Sequence, residues 1–212
     1  MTRTHYSDRH AEVLRTAMYL IAERGLAGAS LRELARRVGM SQPSLYHYFE
    51  TKDALVGQII EWTTSELFKV PDGVPLDLSL EELITAISQY VLGIYSRDDY
   101  VTFVRFLFAV SIERRDWTEV LRDSFIEGGR ESFAVMASPL VARGELDADD
   151  VHFAGRLMMS TMILEMLNYR VLLREPMSAE RWIPEIEFLA ETLSVGIRAR
   201  AARKRKEKTD ER

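Results

Sequence analysis

The stretch GASLRELARRVGMSQPSLYHYFETKDAL, residues 28 to 55, carries the signals for two short helices joined by a tight turn. Ser30 stands where a hydroxyl can accept from the free amides of a helix start, and Glu33, three residues on, can reach back to complete a capping box. Leu31, Leu34, Ala35 and Val38 then share one helical face, and Gly39 supplies a left-handed stop. A second start follows at once. Ser41 is placed to cap, Pro43 at the second helical position has no amide to satisfy, and Ser44 at the third can donate its own. The stretch therefore reads as a helix-turn-helix. A preceding helix from about Ser7 to Gly25, with Leu14, Ala17, Met18 and Ile21 inward, completes a three-helix domain.

The second short helix needs only Leu45, Phe49 and part of Tyr48 for packing. Gln42, Pro43, Ser44, Tyr46 and His47 are left outside, where an ordinary solvated face would carry Lys and Glu. Gln can bond bidentately to adenine, Ser can serve either strand, and a Pro ring can touch a thymine methyl in a major groove that admits one helix. Tyr hydroxyls and His suit phosphate oxygens. Lys52, at the start of the following helix, can hold a second phosphate beside the exposed amides there.

Over roughly residues 8 to 60 this region resembles the DNA-binding segment of TetR-family transcriptional regulators, and its QPSLY string is similar to the recognition helix of the tetracycline repressors. Ser30, Gly39, Ser41, Leu45, Tyr46, Tyr48, Phe49, Lys52 and Leu55 carry the resemblance. It implies Ser30 and Lys52 as phosphate anchors, Gln42, Pro43 and Ser44 as base readers beside the cap Ser41, and Tyr46, His47 and Tyr48 as mixed contacts. The chain departs from the pattern at Leu31, where some relatives place a basic residue, so any readout from that helix falls to Arg32.

The net charge of −5 hides a division. Residues 1 to 52 carry a net +3, residues 53 to 196 a net −13, and residues 197 to 212 a net +5. A polyanion would repel the acidic middle, so DNA is expected to meet the N-terminal domain alone. The basic tail, RARAARKRKEK, reads first as a solvated helix end whose cations suit the helix dipole, and second as an auxiliary phosphate contact. The absence of Cys removes disulfides, thiolate metal sites and cysteine nucleophiles together. The polar start MTRTHYSDRH and the lack of any long apolar run imply a cytoplasmic protein without a membrane span.

The rest of the chain reads as helices, about nine in all, giving an all-α fold. Expected domains are a DNA-binding domain at 1–52, a helical effector-binding and dimerisation domain at 53–205, and a polar tail at 206–212. A long helix from Lys52 to about Phe68 connects the first two, and VPDGVPLD marks the clearest break. Ser79 with Glu82 opens the next helix, whose stripe is Leu80, Leu83, Ile84, Ile87, Val91 and Ile94. Helices at about Asp99 to Arg115 and from Asp116 towards Arg143 follow, with Pro139 kinking or ending the latter. Residues 151 to 173 are apolar on nearly every side, which asks for two covering neighbours. With the helix from about Ser178 to Arg200 they can pair with a second copy as a four-helix interface. The spacing alone also allows a purely intramolecular core, whereas the resemblance to TetR-like proteins implies such a dimer. Two recognition helices about 34 to 36 Å apart would then read a palindromic operator on double-stranded DNA.

Pocket-lining candidates are Trp62, Phe68, Tyr90, Tyr95, Phe103, Phe106, Phe108, Met136, Met158, Met159, Met162 and Met166, although such residues also build plain core. Arg105 and Glu165 interrupt apolar runs, so each is paired, exposed, or reserved for a charged group of a small-molecule effector. The resemblance implies a repressor released when such an effector shifts the long fourth helix. A differential affinity of about 3 to 5 kcal/mol between two arrangements would suffice. A DNA-binding regulator whose body docks a protein partner is the alternative. Catalysis would have to rest on His152 with Asp147, Asp149 and Asp150, but Asp147 is a natural N-cap and the acids suit a helix dipole. No catalytic residue, metal or cofactor is therefore expected.

Overall fold

The computed structural model describes residues 7–67 and 77–210. Among them it holds ten α-helices and no strand. These are α1 (Asp8–Gly28), α2 (Leu31–Arg37), α3 (Gln42–Leu45), α4 (Lys52–Leu67), α5 (Leu80–Tyr95), α6 (Asp98–Glu113), α7 (Trp117–Leu121), α8 (Gly128–Ala142), α9 (Ala148–Met166) and α10 (Ala179–Asp210). Two π-helical stretches, Arg122–Glu127 and Leu167–Leu173, follow α7 and α9. Phe68 and the expected break up to Leu76 lie outside the described residues.

The helices gather into two compact units. One comprises the N-terminal residues through α4 together with residues 98 to 128; the other holds α5 and residues 129 onward. Division by packing thus differs from the division by charge at residue 52, because α6 and α7 close onto the head although they belong to the acidic stretch.

In the first unit α1 is the central element. Val13, Leu14, Ala17, Met18, Leu20 and Ile21 are buried on it, enclosed by α2, α4 and α6. Burial of this broad face, at roughly 1.5–3 kcal/mol for each large aliphatic side chain, makes α1 the post around which the head is built, while Arg9, Glu12, Arg15, Tyr19 and Glu23 face water on its other side. The expected end at Gly25 is instead a break. Gly25 turns left-handed, with φ 76°, and a further helical turn runs on to Gly28. Gly39 makes the expected stop after α2 with φ 63°.

The second unit starts from a complete capping box. Ser79 Oγ accepts from the Glu82 amide at 3.2 Å, and the Glu82 carboxylate accepts from the Ser79 amide at 2.8 Å. Leu80, Leu83, Ile84, Ile87 and Val91 are buried as expected, with α10 and α9 against them. The helix expected from Asp116 towards Arg143 runs from Trp117 to Ala142 as three consecutive helical segments with no break between them, α7, a π-helical stretch and α8. Pro139 does not end α8, which continues to Ala142. The carbonyl that Pro139 leaves without an amide is that of Val135, and Ser138 Oγ donates to it at 2.8 Å. The Phe133 ring of α8 packs closely on α9 because Gly155 has no side chain; a Cβ there would stand 2.8 Å from the ring.

Candidate nucleic-acid interface

The outer face of the helix-turn-helix follows from how its two short helices are anchored. Ser30 Oγ accepts from the Glu33 amide at 3.2 Å and caps α2. The expected reciprocal half of the box does not form. Glu33 turns forward, accepting from Arg36 Nε and an Arg36 terminal nitrogen at 3.0 and 2.8 Å and from Arg37 Nε at 3.1 Å. Two guanidinium partners outweigh one backbone amide, and their hydrogen bonds, Arg36 first, hold the Glu33 carboxyl at about 2. Arg37 also reaches Glu23 on α1 at 3.0 Å, tying α2 to its neighbour.

Ser41 Oγ accepts from the Ser44 amide at 3.2 Å, and the two hydroxyls share a further hydrogen bond at 2.6 Å. Leu45 and Phe49 are 0% and 3% exposed, which fixes the rotation of α3. That rotation leaves Gln42, Pro43, Tyr46 and His47 in solvent, with Ser44 and Tyr48 half-buried. Arg32 is exposed on α2, with Leu31 half-buried beside it. Among the described residues no hydrogen bond or ion pair engages the side chains of Arg32, Gln42, Tyr46 or His47. These four side chains therefore present donors and acceptors that are committed to nothing within the head.

Behind this surface stands a support that the sequence did not announce. The Gln58 side-chain amide on α4 donates to the Tyr48 carbonyl at 2.9 Å, and its oxygen lies 2.8 Å from His10 Nε2 on α1. Because that oxygen can only accept, His10 Nε2 carries the proton in this pair. The His10 and Tyr48 rings also meet at 4.9 Å between centroids. No local signal links residues 10, 48 and 58; only the packed domain does. Lys52, expected to face a phosphate, has its ammonium on the Leu26 carbonyl.

The expected effector residues do not form one cluster in either unit. Trp62, Phe103, Arg105 and Phe106 belong to the first unit, and Tyr90, Tyr95, Met136, Met159, Met162 and Glu165 to the second. Phe103 and Phe106 are fully buried and stacked at 6.0 Å, Trp62 lies half-buried under the Arg15 guanidinium, and Arg105 is exposed. Tyr95, Met136 and Met162 are buried, while Tyr90, Met159 and Glu165 are half-buried. An open depression of about 520 Å³ in the second unit is lined by none of them but by Asp77, Ser79, Glu82, Arg143 and Glu145. Ser79 and Glu82 there form the capping box, and Arg143 binds Glu145 at 2.6 Å and the Leu78 carbonyl at 2.7 Å.

The acidic cluster at the start of α9 is a cap. Asp147 accepts from the Asp150 amide at 2.8 Å, and buried Asp150 pairs with Arg200 of α10 at 3.0 Å. Lys204 bonds Asp147. Burial, then the Asp147 charge, pushes the Asp150 carboxyl up, while the hydrogen bond from Lys204 holds Asp147 down. His152 is engaged by the Arg130 guanidinium at 2.8 Å. Part of the basic tail is thus a packed face of α10 rather than a frayed end. No helix among the described residues is long and apolar enough to cross a membrane.

The family model for bacterial regulatory proteins of the tetR family matches residues 13–59, and that for the C-terminal domain of AefR-like transcriptional repressors matches residues 82–182. The HTH-type transcriptional repressor KstR2 of Rhodococcus jostii (strain RHA1) is 30% identical over 171 residues, covering 77% of this chain and 81% of that protein. The chain belongs to the TetR family of transcriptional regulators. Within that family, the class C tetracycline repressor of Escherichia coli is 43% identical over 49 residues, 23% of this chain and 22% of the repressor. The fold is shared with a TetR family regulator from Pseudomonas syringae pv. tomato str. DC3000, at a TM-score of 0.68 and 16% identity over 90% of this chain and 97% of that one. As a TetR-family regulator the protein binds DNA, and the relatives point to regulation rather than catalysis.

Proposed function

We propose that the protein is a homodimeric repressor that reads a palindromic operator through α3 and leaves it when a small-molecule effector binds the helical body. In this reading residues 1–52 are the DNA-binding domain, 53–205 the effector and dimerisation domain, and 206–212 a polar tail in a cytoplasmic protein. The carrying observation is the outer face of α3 and the turn after it, where Gln42, Tyr46 and His47 stand exposed and uncommitted over a fully buried Leu45. Gln42, Pro43 and Ser44 read base edges, Tyr46, His47 and Tyr48 add base and backbone contacts, and Ser30, Arg32 and Ser41 flank them on the duplex.

The homodimer reading is supported by α9 and α10. Leu157 and Leu164 on α9, and Phe188 and Val195 on α10, are each more than half exposed and recur at seven-residue spacing. Apolar stripes at that period on two helices fit the seam of a four-helix interface between two copies. The test is selection of genomic DNA fragments on the purified protein at physiological salt, with Tyr46→Ala alongside. Enrichment of a palindrome that the variant loses is the expected result, and the genes beside it then supply effector candidates. Retention that is salt-sensitive and blind to sequence would overturn the proposal.

A further inference from the structure

Three elements of the first unit meet at the break in α1. Beyond Gly25 the amides of Leu26 and Ala27 open a new helical turn, and the carboxylate of Glu113, the last residue of α6, accepts from both at 2.7 Å, one oxygen to each. The Lys52 ammonium, from the first residue of α4, donates to the carbonyl of the same Leu26. Arg114, next after Glu113, holds Asp53 through two hydrogen bonds of 3.0 and 3.2 Å. A Cβ on Gly25 would fall 2.4 Å from Glu113 Oε1, so the carboxylate occupies room that only glycine leaves. Burial pushes the Lys52 ammonium below the usual lysine range, and the Glu113 charge draws it partly back.

We propose that Glu113 and Lys52 are positioning residues: they form a joint that fixes the three-helix head on the end of α6, and the Lys52 ammonium belongs to this joint rather than to a DNA phosphate. The inference rests on the DNA-binding reading above but differs from its expectation for Lys52. A lysine that anchors phosphate releases counterions when DNA binds, whereas a lysine that braces the head contributes no counterions of its own. A carboxylate near DNA should weaken binding by repulsion, so removing its charge should help unless it positions the head.

The experiment measures affinity of the full chain for a duplex carrying the enriched palindrome across a series of salt concentrations. Lys52→Met is expected to weaken binding tenfold or more with the slope of log K against log salt unchanged. Glu113→Gln, which keeps one acceptor but cannot serve both amides, is expected to weaken binding similarly despite losing a negative charge, and the double variant to be no weaker than either single one. A slope reduced by about 0.9 for each Lys52 in the complex, or a Glu113→Gln protein that binds as well as or better than the parent, overturns the proposal. Failure of the unaltered chain to enrich any palindrome would instead count against the DNA-binding reading. Amide hydrogen exchange on the unaltered protein gives a second check that needs neither DNA nor a folded variant. Slow exchange at Leu26 and Ala27 is expected, and exchange at the rate of open chain overturns the joint.

Discussion

The outward faces of α3 and α10 are built on opposite chemistry. At α3 a four-residue helix and the turn after it bury Leu45 and Phe49 and show water Gln42, Tyr46 and His47. On α10 a 32-residue helix buries Trp182, Ile186, Ala190, Leu193 and Ile197 yet still shows water Phe188 at 71% and Val195 at 62% exposure. A polar face satisfied by water is stable alone and asks only for a partner with matching donors and acceptors. An apolar face is driven to be covered. In the proposed assembly the copies therefore pair before they meet DNA, and the DNA-reading surface remains a polar one that water satisfies until a duplex replaces it.

The sharpest break of that contrast is a charge on the apolar face. Leu164→Glu with Phe188→Glu should halve the mass seen by sedimentation and weaken binding to a palindromic duplex by about 100-fold or more, since the second half-site loses its tether. If the face were merely solvated, both substitutions would change stability by about 0.5 kcal/mol or less and leave the mass unaltered. On the polar face, Gln42→Ala should cost about 1–3 kcal/mol at one base pair, read as relaxed preference in a panel of operator variants with an unchanged salt slope. Ser41→Ala should cost about 1 kcal/mol of folding stability, a fall of roughly 2–4 °C in melting temperature by calorimetry.

The smallest effect concerns acid. The Glu33 carboxyl, held at about 2 against an ordinary 4.5 by the guanidinium groups of Arg36 and Arg37, contributes stability in full above its unfolded value and loses it as pH falls towards about 2. Glu33→Gln should flatten the dependence of melting temperature on pH below about 4.5, the ordinary value, while leaving that dependence above pH 5 as it was.

What was legible in the sequence was what local chemistry decides. Ser30, Ser41, Ser79 and Asp147 all cap the helices they were expected to cap, because a cap is a bond between near neighbours. The buried stripes of α1 and α5 likewise follow from spacing alone. Choices between competing partners were not legible. Glu33 had an amide behind it and two arginines ahead, and periodicity gives no way to rank them. Lys52 meets Leu26 and Glu113 only after the chain has folded back on itself, and Gln58 finds Tyr48 and His10 for the same reason. The candidate pocket residues, Arg105 and Glu165 apart, share an apolar character that cannot tell one unit from the other.

The π-helical stretch after α9 has one more consequence. A ring closed from residue i to i+5 holds one residue more than an ordinary helical turn, so within it successive side chains step round the axis by less than they do in an α-helix. Between Leu167 and Leu173 this accommodates an additional position, and Arg174, in the left-handed conformation with φ 59°, closes the helix immediately afterwards. The surplus is absorbed in one place. Leu172 and Leu173, both exposed, lie inside the widened stretch, so its turn sets the direction in which they meet water, while the rows upstream of Met166 keep the ordinary helical phase.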